Sequence, residues 1–369
     1  MAAKRSPAKG TIPFVEAKFF DSNETARVLK DRFKLHLGKL RGLTPIKNVA
    51  DEDGPAYQSL PSHMLSQNDL MRIDRRANCI LRKRQSTSPL IHLNSDDKAR
   101  LEVLRDGVRL ITIASEHRAD ELAAALHAEM PWMAPATEVV WHAMRRSVRE
   151  GWPGLRLPPI LLDGPPGIGK SHWGRRLGEV LGSPTTVIDA TGENSSFGIV
   201  GSQRSWSHSK AGRPLETVLQ TLVGNPVIVI DEVEKAGIAV SSKGLVFGLA
   251  QSLLPLLEPS TAQRWTCPYY QVKFDMTFVI WVLTANSTEA LPAPLLSRCP
   301  PIRLRDLSLS ELEGFVRREG VSRGLSLAAI DAIEAALALS SARAQQPSLR
   351  VAARMLQRAT DLEQAPQLH

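Results

Sequence analysis

The chain has 369 residues, 43% of them hydrophobic, enough for about two to three domains with ordinary cores. No apolar run approaches the ~18 residues of a membrane helix, and no apolar stretch follows the basic N-terminus MAAKRSPAKG, which argues against a membrane span and a secretory signal. Cys79, Cys267 and Cys299 are scattered, odd in number and lack metal-ligand spacing, so a reducing, cytoplasmic setting fits best.

The net charge of +8 is unevenly placed. Residues 1–110 hold 21 Lys/Arg against 13 Asp/Glu, and the rest of the chain balances 25 against 25. Residues 1–120 therefore read as a basic, mainly helical or irregular region of unnamed fold, with amphipathic helical pattern in parts of 14–40 and again over 97–113. Polar turns such as Asp51, Glu52, Asp53, Gly54 and Pro55 separate these segments. Arg75, Arg76 and the cluster Arg82, Lys83, Arg84 could contact nucleic-acid phosphates; the plain alternative is a solvated face that keeps the protein soluble.

From 121 onward the pattern sharpens. Helical periodicity covers 121–130 and 136–150, and a Gly/Pro break follows at 151–159. Short apolar runs at 160–162, 186–188, 227–230, 278–283 and 302–304 then alternate with helical stretches, which predicts a largely parallel, doubly covered sheet over 121–306. After Asp306 the pattern is wholly helical: Ser308 with Glu311 forms a capping box, and further helices are expected over 326–340 and 348–363. The fold class is thus an α/β core followed by a small helical domain at 307–369.

Gly164, Pro165, Pro166, Gly167, Ile168, Gly169, Lys170 and Ser171 satisfy G-x-x-x-x-G-K-[ST] between an apolar strand and a predicted helix that begins near Ser171 and His172. Glycines allow the backbone to wrap phosphate oxygens with its N–H groups inward. Lys170 can neutralise β- and γ-phosphates, and Ser171 can ligate Mg²⁺. The apolar run 226–230 ends in Asp231 and Glu232. A buried strand has little reason to finish in two acids unless they face a site, where Asp231 would hold Mg²⁺ and Glu232 would polarise the attacking water. The strand at 278–283 leads into Asn286, which can orient water near the γ-phosphate or simply form a turn.

Together these residues resemble the AAA+ ATPase module, and more closely that of Lon proteases, over roughly 121–363. Residues 201–213, GSQRSWSHSKAGR, follow the spacing of the Lon segment that carries a pore loop, with Trp206 where that family has a pore-facing Tyr. His208 stands where the family has a small residue, and Arg204 and Lys210 make the loop basic. Residues 229–235, 254–259, 269–275, 291–298 and 348–354 continue the likeness in order. The resemblance implies a trans-acting arginine finger at Arg298 and a nucleotide-sensing Arg350 on the lid, although Arg343, Arg354 and Arg358 lie nearby. It also implies ATP and Mg²⁺ as ligands and a ring, hexameric in the family, that threads or remodels a macromolecule. Trp206 would grip a polypeptide, unless it packs instead. With the chain ending at His369, no Ser–Lys protease domain is expected, so a polypeptide substrate or a separate effector protein becomes the expected partner. The alternative is a nucleic-acid-associated AAA+ regulator whose basic first third binds DNA or RNA.

Overall fold

A computed structural model describes residues 10–364, apart from 18, 20–24, 45, 49–56, 88, 193–194, 207, 237, 241–245 and 343–347. The polar turn at 51–55 and Arg343 lie outside the described residues. The chain forms two compact units, one from residues 17–102 and one from residues 1–16 together with 103–369.

In the smaller unit the helix Ala26–Leu40 begins at Thr25, whose hydroxyl accepts the N–H of Val28, and a second helix covers Gln67–Thr87. Arg41 clamps Asp69 with two hydrogen bonds of 2.6 and 2.8 Å, and Ser66 adds its own N–H and hydroxyl. A small apolar cluster of Leu60, Leu65 and Ile73 lies beneath. The helix expected over 97–113 stops early, covering Ser95–Glu102 only. Gly107 adopts a φ of 85° and its backbone closely approaches Ile12; a Cβ there would sit 2.4 Å from the Ile12 carbonyl oxygen. Beyond it Val108–Arg109 pairs with Thr11–Ile12 as a short antiparallel ladder. Residues 103–120, which sequence grouped with the N-terminal region, therefore pack in the larger unit, as do residues 10–16.

The larger unit is built on helices α1 (Glu116–Glu129) and α2 (Ala134–Arg149) and strand β1 (Ile160–Asp163). These lead to α3 (Lys170–Leu181), β2 (Thr185–Asp189), α4 (Arg213–Thr221), β3 (Val227–Asp231) and α5 (Leu249–Leu257). Then come β4 (Ile280–Ala285), α6 (Ala293–Arg298), β5 (Pro301–Arg303) and three final helices, α7 (Leu309–Ser322), α8 (Leu327–Ala342) and α9 (Leu349–Glu363). All five expected strands form and join one parallel sheet in the order β5-β1-β4-β3-β2. Both faces are covered, which is why Val227–Ile230 and Ile280–Leu283 read as unbroken apolar runs instead of alternating ones. One face buries Ile160, Val229 and Val282 against Trp173, Leu177, Val140 and Met144 of the flanking helices.

Asn225 fastens this sheet to the chain before it. Fully buried, it accepts the Ile111 N–H (2.8 Å) and donates to the carbonyls of Ile111 and Leu155 (3.0 Å each). The three final helices enclose a separate apolar cluster around Leu312, Val316, Ile330, Leu337 and Leu356, and the Ser308–Glu311 capping box forms as read from sequence. Among the described residues no helix is long and apolar enough to cross a membrane.

Candidate nucleotide site

Strand register fixes where the chemistry gathers. Asp163 of β1 lies opposite Ala285 of β4, Leu283 opposite Ile230 of β3, and Asp231 opposite Asp189 of β2, so the carboxyl ends of four strands share one rim. In an open parallel sheet that rim is where ligands sit. The loop after β1, the acids after β3 and Asn286 after β4 all emerge there.

The loop from Gly164 to Gly169 turns back on itself with left-handed φ values of 82° at Gly167 and 92° at Gly169, which a side chain would resist. Its outer side is pinned by the Trp132 indole N–H, which donates to the Ile168 carbonyl at 2.9 Å. Its inner side meets the start of α9, where the Leu349 N–H donates to the Gly167 carbonyl at 3.2 Å. A Cβ on Gly167 would come within 2.9 Å of the Ser348 Cβ.

Lys170, the first residue of α3, is only 7% exposed. Its ammonium donates to the carbonyls of Gly164 (2.6 Å) and Pro165 (2.8 Å) and to Asn286 Oδ1 (3.0 Å). Burial lowers the Lys170 pKa, and the carboxylates of Glu234, Asp231, Asp163 and Glu232 oppose that shift. Ser171 Oγ donates to Asp231 Oδ1 at 2.6 Å. Thr284, fully buried on β4, donates its hydroxyl to the same oxygen at 2.5 Å and accepts the Glu232 N–H at 3.1 Å. Glu232 takes a left-handed φ of 55°, a strained value for a non-glycine residue of the kind that concentrates at functional sites. Its carboxylate pairs with Lys235 at 2.9 Å and lies 3.4 Å from Asn286 Nδ2.

Thus Lys170, Ser171, Asp231, Glu232 and Asn286, separated by up to 116 positions in sequence, form one hydrogen-bonded group. The arrangement fits a phosphorylated ligand with a hard cation. A glycine cradle and a buried ammonium suit phosphate oxygens, and an adjacent hydroxyl and carboxylate suit Mg²⁺. His172 is exposed on the first turn of α3, and Pro166 is exposed at the loop tip. Sequence reasoning passed over Thr284, Glu234 and Trp132 as site-supporting residues. A hydroxyl at the buried end of an otherwise apolar strand was the available signal for Thr284; nothing local marks Trp132, which lies 36 positions from its partner.

Three further residues lie apart from this group. Arg350 is exposed on the first turn of α9, next to the Leu349 contact with the loop. Arg298 ends α6; its Nη1 donates to Pro294 O at 3.1 Å and its Nε lies 3.6 Å from Glu258. Trp206 is 37% exposed and meets the Phe197 ring edge-on at 5.1 Å, so it is partly packed. Its loop is closed by a bridge between Gly201 and Ala211. His208 has a φ of 60°, in the left-handed region that glycine adopts most easily. All three cysteines are free, and burial raises the thiols of Cys267 and Cys299 to about 11 and about 12.

Residues 160–307 match the family model described as ATPase family associated with various cellular activities (AAA). Among curated proteins the chain is 31% identical over 172 residues to the Lon protease of Magnetococcus marinus, covering 47% of this chain and 21% of that protein. It is 34% identical over 167 residues to the Lon protease of Aquifex aeolicus, covering 45% and 20%. With the peroxisomal Lon protease homolog 2 of Xenopus laevis it shares 32% identity over 180 residues, 49% of this chain and 20% of that one. The chain thus spans about a fifth of the length of these relatives. It carries an AAA-family ATPase module that is similar to the one in Lon proteases.

Proposed function

We propose that this protein is an ATP-hydrolysing, Lon-like motor that assembles into a ring and threads or remodels a macromolecule. The observation that carries the reading is the single hydrogen-bonded group at the strand ends, which holds a buried ammonium, a hydroxyl–carboxylate pair and a second acid. Mg²⁺·ATP, when bound, supplies the phosphoanhydride to be broken and the cation that neutralises its oxygens.

The protein's own residues have distinct roles. Backbone N–H groups of residues 167–170 cradle the phosphates, and the Lys170 ammonium exchanges loop carbonyls for phosphate oxygens. Ser171 and Asp231 present hard oxygens to the cation. Glu232 accepts the proton of the attacking water, and Asn286 orients that water. Arg298, which lies outside the group in its own subunit, reaches the nucleotide of a neighbour in a ring, probed most simply as a hexamer. Arg350 senses nucleotide from the lid. Trp206, held in a closed loop with its face partly open, contacts the threaded polypeptide. The free thiols suit a cytoplasmic setting.

A second reading rests on the helix Gln67–Thr87, where Arg72, Arg75 and Arg82 are exposed along one side. Such a stripe would make the protein a nucleic-acid-associated regulator. One experiment tests both readings: phosphate release by the full chain with Mg²⁺·ATP, alone, with an unfolded protein or with duplex DNA, beside mass photometry. Stimulation by unfolded protein in a ring-sized species supports the motor. Stimulation by DNA that fades as salt rises supports the regulator. In the same assay Glu232→Gln is expected to lower turnover by at least ~10²-fold while ATP still binds; turnover at the wild-type rate would remove Glu232 from its role.

A further inference from the structure

Two acids leave the turn after β3 beside the same asparagine. Glu232 is paired with Lys235, and its side chain is 35% exposed. Glu234 behaves differently. Its Oε1 accepts both the backbone N–H of Asn286 (3.0 Å) and the side-chain Nδ2 (2.9 Å), while its Oε2 is buried without a hydrogen-bond partner in the protein.

These contacts decide which way the Asn286 amide faces. In the observed orientation Oδ1 accepts from the Lys170 ammonium at 3.0 Å and Nδ2 faces Glu234 and Glu232. Flipping the amide would set its N–H groups against an ammonium and its carbonyl against two carboxylates, unfavourable on both sides. Glu234 also holds the Asn286 backbone, so the whole residue is fixed at one end.

We propose that Glu234 is a positioning residue for ATP hydrolysis: one of its oxygens locks the Asn286 amide with its carbonyl on Lys170 and its NH₂ toward Glu232. The inference rests on the ATPase reading above and adds a residue that reading does not use. Glu234 acts through Asn286 and requires only an acceptor oxygen, not a negative charge.

The test measures kcat and KM for ATP with the full chain carrying E234M, E234Q, N286A or E234M/N286A. Methionine keeps the side-chain volume without an acceptor, and glutamine keeps one acceptor without the charge. E234M is expected to lower kcat by ~10-fold or more with KM changed less than ~3-fold, and E234Q to stay within ~3-fold of wild type. The double variant is expected to fall within ~2-fold of N286A alone, since two residues acting as a unit do not add. Wild-type kcat in E234M, a loss in E234Q equal to that in E234M, or multiplied losses in the double variant would each overturn the proposal. Wild-type kcat in N286A would instead strike the assignment of Asn286 itself, and the positioning role with it.

Discussion

Thr284 offers the sharpest test of how the rim is assembled. Replacing it with valine keeps the β-branched shape and removes one oxygen. That oxygen makes two hydrogen bonds, donating to Asp231 at 2.5 Å and accepting from the Glu232 N–H at 3.1 Å, in a residue with no exposed surface. A hydrogen bond to a charged group contributes about 1.5–3 kcal/mol, and the Glu232 N–H would lose its acceptor. Stability should therefore fall by about 2–4 kcal/mol. If about 1.5–3 kcal/mol of that fixes Asp231 and Glu232 for the reaction, turnover should fall by ~10–100-fold, since each 1.36 kcal/mol is a factor of ten. Steady-state phosphate release and denaturant unfolding on Thr284→Val, with Thr284→Ser as the hydroxyl-retaining control, measure both. The reasoning is refuted if Thr284→Val hydrolyses ATP within ~2-fold of wild type, or if valine and serine lose activity equally.

Two further outcomes follow from contacts away from the rim. Asn225→Leu leaves the Ile111 N–H and the carbonyls of Ile111 and Leu155 without their partner, so unfolding free energy should drop by at least about 3 kcal/mol; a denaturation curve showing less than about 1 kcal/mol would contradict the staple. The Arg305 guanidinium holds the Glu311 carboxyl down to about 2 from an ordinary 4.5, with help from Ser308. Because the folded value is the lower one, Glu311 contributes stability in full above pH 4.5 and loses it as pH falls toward 2. The stability gap between wild type and Glu311→Gln, measured by urea unfolding at pH 6 and pH 3, should narrow at the lower pH, and a constant gap would count against the pairing.

The legible parts of the fold were those set by local pattern. Buried parallel strands are continuous apolar runs, so 227–230 and 278–283 could be placed within two residues of Val227–Asp231 and Ile280–Ala285. The loop at 164–171 and the acids at 231–232 were legible because phosphate and cation chemistry demand those residue types at that spacing. What escaped was non-local. Thr11–Ile12 finds its partner at Val108–Arg109, almost a hundred positions away, and no periodicity announces such a two-residue pairing. Residues 103–113 looked helical because Leu104, Val108 and Ile111 are spaced for it, yet after the break at Gly107 the chain is extended and Val108 pairs with Ile12. Glu234 lies inside the segment 229–235 and Thr284 directly after the apolar run 278–283, and only the folded rim shows that each of them supports a neighbour.

The contact between Gly167 and Leu349 has a mechanical consequence. The Gly167 carbonyl of the glycine loop accepts the Leu349 N–H at the start of the last helix, and a methyl group on Gly167 would run into Ser348. Loop and helix consequently share one fulcrum with no slack. Any swing of the three-helix bundle about the sheet must either drag the loop or part that joint, so the bundle is a lever whose short arm ends on the glycine loop.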